Sequence, residues 1–224
     1  MLEKIIKLYK VMKKIISFFL VSYNRLFKYI TNKYYDNILS IDTTFTDRLP
    51  DNFNGDSHKL SNISYTALVE IYDFLSKRCL KFNTYIDFGS GSGRSIFFFA
   101  NKLKCTELVG VELNKKAHNL AMLNLMNYRG KSNINLYRKD VCDYSFSGNE
   151  DLLFFFNPFG IKTFTILLDN IINSNKFNGK KIYILYAYPF LCHELIIQKM
   201  NVKQTDIIQT KKSGLTIYFY EIEL

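Results

Sequence analysis

Three glycines at alternate positions, Gly89, Gly91 and Gly93, constrain what this chain can fold into more than any other feature. An apolar, β-prone run, Tyr85-Ile86-Asp87-Phe88, leads into them, and a helix-like run from Ser95 to Lys104 follows. Strand, tight turn and helix in that order form the opening unit of an α/β sheet. Glycine has no Cβ, so such a turn tolerates unusual dihedrals and lets a ligand approach the backbone. The N–H groups at the start of the next helix point at whatever sits there. A nucleotide-like cofactor suits this geometry.

Three further segments fall where the unit would place them. Leu108-Val109-Gly110-Val111-Glu112 is a short apolar strand ending in an acid, and Glu112 lies 19 residues after Gly93. An acid at the end of a second strand can accept both hydroxyls of a ribose. Asn114 follows as the predicted N-cap of a helix from Lys115 to about Arg129, with Ala117, Leu120, Ala121, Leu125 and Tyr128 as its buried stripe. The strand Ile134–Lys139 ends at Asp140-Val141, with Asp143 a rival acid just beyond. Finally, Leu152-Leu153-Phe154-Phe155-Phe156 is apolar on both faces, as a central parallel strand should be, and stops at Asn157-Pro158-Phe159-Gly160.

The spacing G-x-G-x-G, with Asp87 two residues before it, departs from the G-x-G-x-x-G of dinucleotide sites. It resembles motif I of the class I S-adenosylmethionine (SAM) methyltransferases. An acid beside the turn would repel a pyrophosphate, while it suits a cofactor carrying an ammonium and a sulfonium. The resemblance covers about residues 60–224. It implies that Asp87, Gly89, Gly91, Gly93 and Glu112 bind SAM, and that Asp140 and Val141 face the adenine. Asn157-Pro158-Phe159 is similar to motif IV of the amine-directed members, (Asn/Asp)-Pro-Pro-(Tyr/Phe), with the second proline missing and the aromatic one place early. The likeness implies that Asn157 Oδ1 and the Pro158 carbonyl accept hydrogen bonds from an acceptor NH₂, with Phe159 beside them. The expected activity is in-line methyl transfer to an amine or amide nitrogen. The alternative is a SAM-binding pseudo-enzyme or interaction module of the same fold. A nicotinamide oxidoreductase is disfavoured by the glycine spacing and by the lack of a hydride-transfer acid/base pair.

The order of elements agrees. After Asn157 come an amphipathic stretch from Lys162 to about Asn173, a strand Lys181–Tyr188, a helix opened by Pro189, and strands near 202–210 and 215–221. This matches the family's seven-stranded, mostly parallel Rossmann-like sheet with helices on both faces. The domain is therefore placed at 60–224, after an extension at 1–59. Within 36–60 the chain is rich in Asp, Asn, Thr and Ser and reads as a loop or lid. Tyr65 and Thr66 are loosely similar to a family segment that covers the cofactor's amino-acid end.

Of the net charge of +10, residues 1–33 carry +7, from eight cations against Glu3 alone. The domain is nearly balanced and lacks the basic stripe of a nucleic-acid enzyme, so a protein amine, small molecule, glycan or lipid is a better acceptor than nucleic acid. Residues 1–20 pattern as a two-faced helix. Glu3, Lys7, Lys10, Lys14 and Ser17 line one side; Ile5, Ile6, Leu8, Val11, Met12, Ile15, Ile16, Phe19 and Leu20 form the other. That helix either packs on protein or lies at the periphery of an anionic membrane. Its apolar run is too short to span a bilayer. The four cysteines and three histidines show no paired or metal-ligand spacing, so no metal is expected and a cytoplasmic setting is, with the membrane's inner face as the variant.

Overall fold

The computed structural model describes residues 2–44, 56, 61–177, 179–189 and 191–224. Within the first twenty residues it describes the side chains of Lys13 and Phe19 alone, so the two-faced pattern of residues 1–20 lies largely outside the described side chains.

A long helix α1 (Leu2–Leu39) precedes α2 (Tyr65–Lys77), and the sheet then begins: β1 (Thr84–Phe88), α3 (Arg94–Lys102), β2 (Glu107–Glu112), α4 (Lys115–Asn127) and β3 (Ile134–Arg138). The second half runs β4 (Leu152–Phe156), α5 (Ile161–Ile172), β5 (Lys181–Ala187), α6 (Leu191–Lys199), β6 (Val202–Gln209) and β7 (Thr216–Glu223). Seven strands lie in the order β3-β2-β1-β4-β5-β7-β6. The first five pair in parallel, and β7 runs antiparallel to both β5 and β6. Chain order reverses between β1 and β4, and at such a switch point a crevice opens beyond the carboxyl ends of the strands.

Each strand divides its residues between two faces. Tyr85 and Phe154 pack with α2, α3 and the end of α1, while Leu125 and Tyr128 of α4 lie against the same cluster. Ile86, Phe88, Phe155 and Tyr186 pack with α5 and α6. On this second face Phe88, Phe155 and Tyr186 are register neighbours across three strands. Their rings stack at 5.3 and 5.2 Å. Such cross-strand pairs fix register, and here they do so just below the carboxyl edge.

The element boundaries expected from sequence hold to within a few residues, with two differences in the N-terminal region. The first helix runs on to Leu39, and the stretch read as a loop from residue 36 begins as its last turn. There Leu39 and Ile41 enter the core, and Asp36 and Thr43 are buried. The extension is thus joined to the domain by buried contacts on both sides of the segment 45–60, of which Asp56 alone is described. Tyr65, read as part of a cofactor cover, is fully buried, its hydroxyl donating to Asp36 at 2.6 Å.

Candidate active site at the carboxyl edge of the sheet

The glycine turn connects β1 to α3 at the switch point. Gly89, Gly91 and Gly93 all have positive φ, at +84°, +55° and +87°. The Gly89 and Ser90 N–H groups donate to the Val111 carbonyl, which ties the turn to the end of β2. Gly89 is required for a second reason: a Cβ there would stand 2.3 Å from Cβ of Pro158. The turn after β1 and the turn after β4 therefore touch directly, and any side chain at residue 89 would push them apart.

Glu112 ends β2 and is buried. Its Oε2 accepts from the Gly91 N–H at 2.8 Å and its Oε1 from the Asn114 N–H at 2.7 Å. Each oxygen keeps a second lone pair for a ligand hydroxyl. Burial pushes the carboxyl above its usual range, and the backbone donors oppose that. Asp87, inside β1, accepts a hydrogen bond from the Ser95 hydroxyl of α3. Burial pushes it up to about 7; the Ser95 bond opposes this, and repulsion from Glu112 adds to it. Two buried carboxyls that resist ionising in each other's presence would be relieved by a cation and made worse by a phosphate. This donor set fits SAM, which brings an ammonium, a sulfonium and a ribose diol; it does not fit a dinucleotide.

Asp140 is half-buried and caps a single 3-10 turn, Val141–Asp143, by accepting from the Cys142 N–H at 2.9 Å. Val141 is buried beside it, whereas Asp143 is exposed. Of the two rival acids, Asp140 is the one with a hydrogen bond to the turn that follows β3.

Asn157 follows β4 directly and adopts φ +42°. Among non-glycine residues asparagine tolerates this left-handed conformation best. The structure brings Asn157 and Pro158, both half-buried, to the crevice and turns Phe159 the other way. The Phe159 ring is 5% exposed and packs edge-on against Phe155. With the second proline absent, the aromatic arrives one residue early and meets the core. A different aromatic, which sequence reading did not single out, stands beside the end of β4. Tyr188 follows β5 at φ +57°, and its ring lies 6.3 Å from that of Phe156.

Asp56 meets the start of α5. Its carbonyl accepts from the Gly160 N–H at 2.6 Å, and its Oδ2 accepts from the Thr163 N–H at 2.8 Å. A residue of the expected lid segment thus caps α5 beside the Asn157 turn, where an anion is favoured by the helix dipole.

Arg94, the first residue of α3, was also missed. It is 4% exposed. Its Nε donates to Thr43 Oγ1 at 2.7 Å, and its terminal nitrogens donate to the Ile63 and Thr43 carbonyls at 3.0 and 2.9 Å. Its guanidinium lies 5.0 Å over the Tyr65 ring. Asp36 completes the group by accepting from Thr43 and Tyr65. On the flank, buried Asn124 of α4 bonds the Asp42 backbone and the Ser92 carbonyl. Together these bonds clamp the outer side of the glycine turn. Among the described residues no group of three or more His, Cys, Asp or Glu could hold a metal ion.

Solved structures share this architecture. A protein of Nostoc punctiforme described as an O-methyltransferase superposes with a TM-score of 0.57 at 11% identity, over 69% of this chain and 55% of that one. The methyltransferase domain of a bacterial Hen1 protein, CtHen1-CN, gives 0.52 at 11% identity, over 71% and 98%. The O-methyltransferase region of StiE gives 0.51 at 12% identity, over 71% and 74%. At such identities the likeness carries the fold. No curated protein sequence matches the chain significantly. The model of the family described as histone methylation protein DOT1 matches residues 59–182, over half of the chain and the whole of the site from α2 to the start of β5. The chain therefore belongs to the DOT1 methyltransferase family, and it is a SAM-dependent methyltransferase.

Proposed function

We propose that the chain transfers the methyl group of SAM to an amine nitrogen, with a protein side-chain amine as the acceptor class. The observation that carries this reading is the direct contact between Gly89 and the Asn157-Pro158 turn. In this reading Asn157 Oδ1 and the Pro158 carbonyl, in the turn that touches Gly89, serve as two acceptors for an N–H. The family's description, histone methylation, favours a protein acceptor.

In this reading the glycine turn and Glu112 hold the ribose, Asp140 and Val141 the adenine, and Asp87 offsets the cationic amino-acid end. SAM supplies an already activated methyl on a sulfonium. The protein's task is then alignment and exclusion of water, which is where most of the barrier reduction comes from. An amine must reach the site neutral, with its lone pair unshared. Asn157 and the Pro158 carbonyl can take its two N–H bonds and leave the lone pair turned toward the methyl. An alcohol has only one O–H to give and would leave one acceptor unpaired, a loss worth about 1–3 kcal/mol.

The test is methyl transfer from labelled SAM to lysine-containing peptides and to hydroxyl acceptors, with the product read by mass spectrometry after hydrolysis. N-methyl amino acids are expected. Label confined to base-labile esters or to O-methyl ethers would overturn the reading.

A further inference from the structure

Among the described residues, the buried contacts between α1 and the domain lie near the helix's C-terminus. There Tyr35 stacks on Tyr65 at 4.8 Å, Asp36 and Leu39 are buried, and Asn32 accepts from the Tyr65 N–H. From Val21 to Ile30 every residue is exposed. Along this length Phe19, Tyr23, Leu26, Ile30, Tyr34 and Ile38 are each more than half exposed. At a helical step of about 100° per residue these six fall within an arc of about 120°. Asn32, Tyr35, Asp36 and Leu39, the face that grips the domain, fall on the opposite side. In the sequence Ile5, Met12 and Ile16 recur at the same helical phase. A continuous apolar stripe of this kind marks an interaction surface.

Charge identifies the partner. Residues 1–33 carry +7, so a second copy laid along the same helix would bring like charges together. An anionic surface would attract them. No described helix is long and apolar enough to cross a membrane. We propose that α1 is an interfacial anchor: it lays its outward stripe on an anionic lipid surface and holds the methyltransferase domain on the aqueous side. A helix is about 10–12 Å across with its side chains, so flanking lysines reach within about one Debye length of that surface. Because the gripping face and the stripe are opposed, docking on lipid does not compete with packing on the domain.

Co-sedimentation of the full-length protein with vesicles of phosphatidylcholine, with and without phosphatidylserine, tests this at low and high salt. The protein should pellet with the anionic vesicles, stay soluble with the neutral ones, and release as salt rises. Each cation near the surface adds about fivefold to binding, so Lys13→Gln with Lys33→Gln, the cations that border the stripe, should weaken it about 25-fold. Leu26→Ser, Ile30→Ser and Tyr34→Ser together should abolish it while leaving SAM affinity unchanged, since none of the three grips the domain. Absence of binding to anionic vesicles would overturn the proposal, as would full binding by the triple variant. A lipid-free dimer that the triple variant dissolves would overturn it in favour of a second copy of this chain.

Discussion

A carboxyl group with little water around it and a second carboxylate nearby is costly to ionise, and Asp87 is in that position beside Glu112. Its pKa in the fold is about 7, against 3.8 for the free group. Between those values the folded protein binds more protons than the unfolded chain, so this group's contribution makes the cofactor-free protein less stable as pH rises through the window. Asp87→Asn should flatten the fall in Tm between about pH 4 and about pH 7, as read by thermal melts. A cation placed beside Asp87 lowers its pKa, so SAM binding near pH 7 should release a proton. Calorimetry in buffers of different ionisation enthalpy should show this in the parent protein and lose it in Asp87→Asn. Glu112→Ala should weaken SAM binding by about 1.5–3 kcal/mol, the range for charge-assisted hydrogen bonds. It should also lower Tm, because the Gly91 and Asn114 N–H groups lose their acceptor. Asp87, the glycines, Glu112 and Asn157 were legible in the sequence because each punctuates a strand end with a residue type that has few other uses there. Asp36, Thr43 and Asn124 were not. Arg94 meets Thr43 across 51 positions, and Asn124 meets Asp42 across 82. A pairing at that range leaves no local pattern.

The elements around the glycine turn behave as one clamp. α3 begins at Arg94, whose charge is desolvated by burial and is supported by Asp36 on α1. Removing it leaves the Ile63 carbonyl without its donor, the Thr43 carbonyl with the Asn62 amide alone, and Asp36 without a nearby cation. Arg94→Ala should therefore cost about 3–5 kcal/mol of stability, seen in chemical denaturation as a lower midpoint with unchanged slope. A loss below about 1 kcal/mol, the scale of an exposed pair, would show that the clamp carries nothing. Helix and strand identities were legible because the periodicities of 3.6 and 2 are strong from residue 64 onward. The stop of α1 was not, since Tyr34, Tyr35 and Asp36 read equally well as helix or as loop. Tertiary contacts with α2 decide it.

At the scale of the molecule, the seven-stranded, mostly parallel sheet was expected from the alternation of strand and helix together with the family resemblance, whereas the strand order that creates the switch point is read from the structure. The family match begins at residue 59, close to the boundary expected at 59/60. Buried hydrogen bonds from residues 36–43 nevertheless cross that line to Tyr65 and Arg94. Removal of residues 1–30 should leave Tm and SAM affinity unchanged, while removal of 1–59 should lower both; melts and calorimetry on the two truncations distinguish them. Equal stability of the two would mean that the clamp is dispensable. The central claim is that the turn after β4 serves the acceptor and the turn after β1 serves the cofactor. Parallel measurement of SAM affinity and methyl-transfer rate in Asn157→Ala tests it most directly. The account predicts a rate about 100-fold lower, the scale of a misplaced reactant, with SAM affinity unchanged. An unchanged rate, or an affinity that falls as far as the rate, would contradict it.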